Sequence, residues 1–212
     1  MEYLGEWIGV AHAGRFLVAL AFVSALVATG AFWKGNLRLG RRAYLIHAGS
    51  TLGVIVLIFV LFFGHRYEFQ YIWKHLNNDM PMRFVLSAFW GGQEGGFLLW
   101  MFWHNVLALF ILRRADDWQR EVMTVLSSIQ AFLGVMLLGI YFGDFQLGLD
   151  PFLLLREAPN NIGLPWTARA DYLTAIPQFA DGQGLNPLLQ NYWMTIHPPT
   201  LFLGFAACSV PF

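Results

Sequence analysis

Leu185–Gly204 reads LNPLLQNYWMTIHPPTLFLG, and in it a polar stretch gives way to an apolar one that continues to Phe212. Pro198 disfavours the α region at His197 and predicts an extended backbone there. Pro198 and Pro199 suit the opening of a helix, whose first positions need no amide donor. The expectation is therefore a histidine on a stiff corner at the mouth of a membrane span. An imidazole so placed has two readings. It is a helix-entrance cap or interfacial anchor, or it is a neutral nitrogen ligand available to a metal from one side.

Outward from this stretch, the composition points to a membrane. Of 212 residues, 57% are hydrophobic and 17% aromatic, and only 12% are charged, about half the share of a soluble domain. Thirteen basic residues balance thirteen acidic ones, which gives no electrostatic footprint for nucleic acid. The single cysteine, Cys208, excludes an internal disulfide, a cysteine-based zinc site and a CxxC redox motif within this chain. Glu2 and Glu6 stand where a cleavable signal carries basic residues, so the first apolar segment is expected to stay in the mature chain.

The pattern predicts an all-α, polytopic membrane helix bundle of about five spans with a long periplasmic loop. The expected spans are Ile8–Trp33, Ala43–Phe63, Gly96–Leu112, Val122–Phe142 and the segment from Pro199 onward. That last segment is shorter than a span needs, so the chain reads as the N-terminal piece of a longer protein. His12 and Arg15 lie near the start of the first span and are expected to snorkel to the interface. Gly64–Arg83 reads as an interfacial segment with a short amphipathic helix, its His65 and His75 solvated. Gly143–Thr195 is the long loop; FLLL at 152–155 and LNPLL at 185–189 predict that it packs in order on the membrane face.

Two short connectors hold most of the basic residues: Lys34, Arg38, Arg41 and Arg42 in one, Arg113, Arg114 and Arg120 (with Asp116 and Asp117) in the other. The positive-inside rule places them in the cytoplasm, and the N-terminus, the long loop and His197 on the periplasmic side of a bacterial inner membrane. His47 and His104 fall inside spans, where a helix-to-helix hydrogen bond is the simplest role. GGQEGG lacks the Lys-Ser/Thr of a P-loop, and HExxH, CxxCH and an activated nucleophile are absent from the sequence.

Two stretches go further than periodicity. WGGQEGGFLLW (Trp90–Trp100) and DGQGLNPLLQNYWMTIHPPTLFLGF (Asp181–Phe205) resemble signatures of the CcmF family, the large membrane subunits of bacterial cytochrome c maturation haem lyases. The resemblance implies a protein of cytochrome c-type biogenesis. Such a protein receives haem from a CcmE-like periplasmic chaperone and, with a CcmH-like subunit that holds apocytochrome c, directs covalent attachment to CxxCH. It implies that His197 matches the first of two periplasmic histidines that ligate the transferred haem axially, with Trp193 and Tyr192 as possible packing against the porphyrin. It divides the chain into N-terminal membrane helices with a first periplasmic segment (1–83) and the start of the assembly domain (84–212). It also marks departures. Gln93 stands where the family commonly carries histidine. The tryptophan-rich WWD segment, the second periplasmic histidine and the pair that holds a resident b-type haem are not in this sequence, so this piece alone is expected to be inactive as an enzyme. Other readings stay open at this point: the paralogue dedicated to nitrite reductase, the related CcsA type, a haem or solute transporter, and a structural subunit of a respiratory complex that binds no haem.

Overall fold

The computed structural model describes residues 3–114, 117–143 and 145–210; Glu2 and Asp116 lie outside them. Helix α1 runs Ile8–Trp33 and α2 Leu37–Phe63. The buried side of α1 is small: Ala11, Gly14, Val18, Ala21, Ala25 and Ala28 recur every three or four residues. Its outer side carries Phe16, Val23, Leu26 and Val27, all exposed, as α2 exposes Leu45, Ile46, Leu52, Val56 and Val60. Large aliphatics outside and small residues inside invert the soluble pattern. They suit helices that pack closely in lipid, where burying a leucine against protein gains little.

Helix α2 begins earlier than Ala43 because Asn36 caps it, its side chain accepting the Leu39 amide at 3.1 Å. Short helices α3 (Gln70–His75) and α4 (Met82–Ala88) follow, then α5 (Gln93–Arg114) and α6 (Gln119–Val135). Three of these helices, α1, α2 and α5, are long and apolar enough to cross a membrane. The expectation of a span over Val122–Phe142 needs correction. Helix α6 stops at Val135, and Ile140–Phe142 pairs antiparallel with Phe145–Leu147. Past Val135 the Met136, Leu137 and Leu138 amides each bond three residues back, which tightens the exit of the helix. Gly139, at φ +57°, then turns the chain in the left-handed region, and a β-prone IYF run follows. With 17 residues, α6 sits at the lower limit for spanning.

The long loop is ordered, as its apolar patches predict. Phe152, Leu154, Leu155 and Leu185 are buried, although Leu188 is 83% exposed. The Leu155 amide donates to the Glu68 carbonyl and the Gln70 amide to that of Leu153, each at 2.8 Å. Phe152 lies over Gly14 of α1, where a Cβ would meet its ring. A one-turn helix α7 (Tyr172–Ala175) completes a small satellite core of Leu155, Tyr172 and Phe179.

At the opposite end of the bundle the two basic connectors meet. Arg41 Nε donates to Gln119 Oε1 at 2.7 Å, and Arg120 Nη2 to the Trp33 carbonyl at 2.9 Å. Between the ends, Gln130 Nε2 of α6 donates to the Met101 carbonyl and to Asn105 Oδ1, both at 3.0 Å, and His47 Nδ1 donates to the Ala21 carbonyl at 2.8 Å. Four helices are thus tied by buried polar contacts, and His47 has the interhelical role expected of it.

Arg15 does not snorkel to the interface. Its Nε bonds Asp150 Oδ2 and its Nη2 bonds Glu157 Oε2, each at 2.6 Å, so the long loop is strapped to α1. Burial raises the pKa of the Asp150 carboxyl, and the nearby Arg15 charge holds it down in part. An Arg15→Met variant is expected to lose about 2 kcal/mol at neutral pH, below the value for a fully buried pair because the arginine is partly exposed. The sign with pH follows from proton uptake. Asp150 of the folded variant holds its proton above the ordinary 3.8, so folding binds protons and stability rises as pH falls from the folded value towards the unfolded one. Unfolding midpoints between pH 7 and pH 4 test this: a deficit that widens on acidification contradicts it.

Candidate functional site

Helix α8 spans Tyr192–Cys208 and carries Pro198 and Pro199 inside it. The expected extended corner at His197 is therefore overturned, because the helix starts before the prolines rather than at them. Asn191 caps it in an extended conformation, with its side chain accepting the Met194 amide at 3.1 Å. A proline inside a helix leaves a carbonyl one turn back without its amide. Here that carbonyl belongs to Met194, and the Trp90 indole Nε1 donates to it at 2.8 Å. The sequence signal for this was present, since a tryptophan needs an acceptor when its ring is part-buried, but its partner could not be read from one dimension.

Trp90 comes from the turn between α4 and α5. Tyr71 of α3 holds that turn from beneath: its hydroxyl donates to the Phe89 carbonyl and accepts the Gly95 amide. Burial raises the Tyr71 pKa well above its ordinary value, and the Glu94 charge adds to this, so the hydroxyl stays a donor. The His75 ring lies against Gly92, and its Nδ1 donates to the Tyr71 carbonyl at 2.8 Å. Burial lowers the His75 pKa and favours the neutral ring. His75 is accordingly a packed member of the turn, not the solvated loop residue expected, whereas His65 is exposed.

Further along, α8 lies on α5. Trp100 packs on Phe202 and Phe205 at ring distances of 5.9 and 5.6 Å, and His104 Nε2 pairs with Ser209 Oγ at 3.0 Å. His104 thus makes the interhelical contact predicted for it. The outer side of α8 is open. His197 is exposed, and among the described residues its imidazole makes no hydrogen bond. Trp193, one turn before it and on the same face, is 71% exposed. Tyr192 is also exposed and stands edge-on to Trp193 at 5.8 Å, but five residues from His197 it points round the helix from that face.

The His197 imidazole is a single donor, not a complete ligand set. Among the described residues no group of three or more His, Cys, Asp or Glu is placed to hold an ion, which a bare zinc or calcium site requires. A haem iron, already held in plane by its porphyrin, takes a single imidazole from one side.

Fold and site together define a polytopic helical membrane protein with an exposed histidine, His197, one turn from the exposed Trp193 on α8. The chain belongs to the cytochrome c assembly protein family, whose family model matches residues 90–212. It is 29% identical over 212 residues to the cytochrome c-type biogenesis protein CcmF of Haemophilus influenzae, covering 96% of this chain and 29% of that one. With the cytochrome c-type biogenesis protein NrfE of the same organism it shares 29% identity over 208 residues, covering 94% of this chain and 29% of the relative. Equal identity to both leaves the paralogue question where the sequence left it. A solved structure of the cytochrome c haem lyase CcmF superposes over 100% of this chain and 30% of its own length, with a TM-score of 0.67 at 22% identity, and shares the fold. The chain spans less than a third of the length of these relatives.

Proposed function

We propose that this chain is a haem-receiving part of a cytochrome c haem lyase subunit, with His197 as an axial ligand of the haem in transit. The observation that carries the reading is the exposed His197 imidazole one turn from the exposed Trp193, in a chain of the cytochrome c assembly family. Haem is substrate here. Ligation from α8 fixes the porphyrin plane against the helix, and the Trp193 ring offers an apolar edge to it. Attachment then needs the vinyl groups turned towards the thiols of apocytochrome c. Each thiol adds across a vinyl C=C, sulfur bonding one carbon and the thiol proton ending on the other, with no net change of oxidation state. His197 contributes orientation to this step, not proton transfer.

The reading assigns residues 84–212 to the assembly domain and 1–83 to the helices that precede it. It takes α6 and α8 as further spans, with the paired basic connectors in the cytoplasm of a bacterium and His197 in the periplasm. A CcmE-like chaperone, a CcmH-like subunit and apocytochrome c are the partners it requires. Trp193 serves as a packing group for the haem, and Tyr192, on a different side of the helix, as a weaker one at most.

The test uses the membrane protein purified with haem, as wild type, His197→Ala and His197→Cys. Alanine is expected to lower haem retention at least about tenfold, the scale of losing one ligating contact. Cysteine is expected to shift the absorption bands to those of a thiolate ligand. Unchanged haem content and spectra in both variants would return His197 to a solvated helix face.

A further inference from the structure

We infer that Trp90 is a positioning residue for His197: its indole N–H holds the carbonyl that Pro198 frees and so sets the angle at which α8 presents the imidazole. The inference rests on the haem reading of His197 and adds to it the part of the chain that aims the ligand.

Four observations combine. Pro198 has no amide, so the Met194 carbonyl lacks the donor that an α-helix supplies four residues later. Trp90 Nε1 takes that place at 2.8 Å. Met194 lies on the turn directly before His197, so a donor at its carbonyl acts on the segment that carries the imidazole. Finally, Trp90 is itself fixed, because Tyr71 bonds both sides of its turn at Phe89 and Gly95, and Phe89 meets Trp90 edge-on at 6.3 Å. A rigid mount from α3 thus reaches the proline-broken turn of α8 through one hydrogen bond. Without it, the first two turns of α8 are joined to the rest by a backbone missing two amide donors, at Pro198 and Pro199. Helices kink at such points, and a swing of that segment would carry His197 with it.

The mechanism makes an unusual demand on a rescue. Pro198→Ala restores an amide that can donate to the Met194 carbonyl, so it should make the Trp90 N–H dispensable. The experiment compares wild type, Trp90→Phe, Pro198→Ala and the double variant in the intact membrane protein. A fifth protein, with Trp90 replaced by benzothienylalanine, keeps the bicyclic shape and removes only the N–H, and so guards against a folding failure of the phenylalanine variant. Two quantities are read: hydrogen exchange of the amides between Trp193 and His197, and the affinity for added iron protoporphyrin IX. Loss of the indole N–H is expected to speed exchange and to weaken haem binding, each about fivefold, the scale of one net hydrogen bond. The double variant is expected to recover most of both.

Unchanged exchange in the benzothienylalanine protein overturns the inference. Faster exchange without rescue by Pro198→Ala overturns it too, since the effect of Trp90 would then not run through the carbonyl that Pro198 frees. Faster, rescued exchange with haem affinity unchanged, while His197→Ala loses haem, shows a strut that does not aim the ligand and equally defeats it. If His197→Ala also keeps its haem, the failure lies in the haem reading, and the exchange data report the strut separately.

Discussion

Replacing Arg156 by methionine is expected to cost about 3–5 kcal/mol of stability, the penalty for stranding a buried charge. The stranded group is Glu6, whose side chain is fully buried, against 20% exposure for Arg156. Arg156 Nε donates to both Glu6 oxygens, at 2.9 and 3.1 Å, and the Tyr172 hydroxyl donates to Oε1 at 2.8 Å. The guanidinium also lies over the Tyr3 ring at 4.3 Å, and the Tyr3 hydroxyl bonds the Thr167 carbonyl at 2.8 Å. The N-terminal segment and the long loop are therefore closed on each other by one carboxylate with two donors. Taking the arginine away leaves tyrosine as the remaining side-chain donor, which cannot neutralise the charge. Arg156→Lys keeps the charge but not the planar guanidinium that lies over Tyr3, and should lose less, about 1–2 kcal/mol. The check is an unfolding midpoint in detergent for both variants, together with proteolysis of the loop between Pro159 and Gln183. A methionine variant within about 1 kcal/mol of wild type would show that Glu6 finds other solvation, and the clamp would not be what orders the loop.

How much of this was legible from the sequence differs by element, and the reasons are physical. Helices α1, α2 and α5 were, because a lipid-facing helix must be apolar over its whole length and that run is local information. Their bounds moved where a local signal was passed over, as with the Asn36 cap. The end of α6 is not legible because LLGIYF continues the apolar run, and hydropathy alone does not distinguish a helix from a short strand. Arg15 departs from its sequence reading for a related reason: snorkelling is the one outlet visible near its own helix, while its partners Asp150 and Glu157 lie far along the chain. At the site, the place of His197 near the start of a helix is legible in the sequence, and its backbone conformation is not. Pro198 does disfavour a helical His197, but Asn191 and Trp90 supply the donors and acceptors that let the helix start early. The first of these lies within reach of a sequence reading. The second lies in another motif, and its pairing with α8 exists only in the folded chain.

The same mount predicts opposite outcomes for two neighbouring glycines. Gly95→Ala is expected to lose about 3 kcal/mol, at the upper end for overpacking, because a Cβ there would collide with the Phe89 carbonyl and the Tyr71 hydroxyl. Neither neighbour can yield cheaply. The carbonyl is backbone, and the hydroxyl is already bonded to that carbonyl and to the Gly95 amide. Relief requires opening the turn, which moves Trp90 off the Met194 carbonyl and frees the start of α8. Gly96→Ala places its Cβ at ordinary contact, 3.6 Å from the Phe202 ring, and removes a glycine from a helix interior. It should be neutral or stabilising by up to about 1 kcal/mol. Unfolding midpoints of the two variants decide the matter, and hydrogen exchange at Trp193–His197 locates the damage. If Gly95→Ala unfolds like Gly96→Ala, the turn has slack that the close approach at Phe89 denies, and Trp90 has no rigid base from which to hold α8. If Gly95→Ala is destabilised and exchange at the start of α8 rises with it, the strain has passed from α3 through the glycine turn to the histidine-bearing helix. That is the path by which a motif without a metal ligand of its own bears on the ligand at His197.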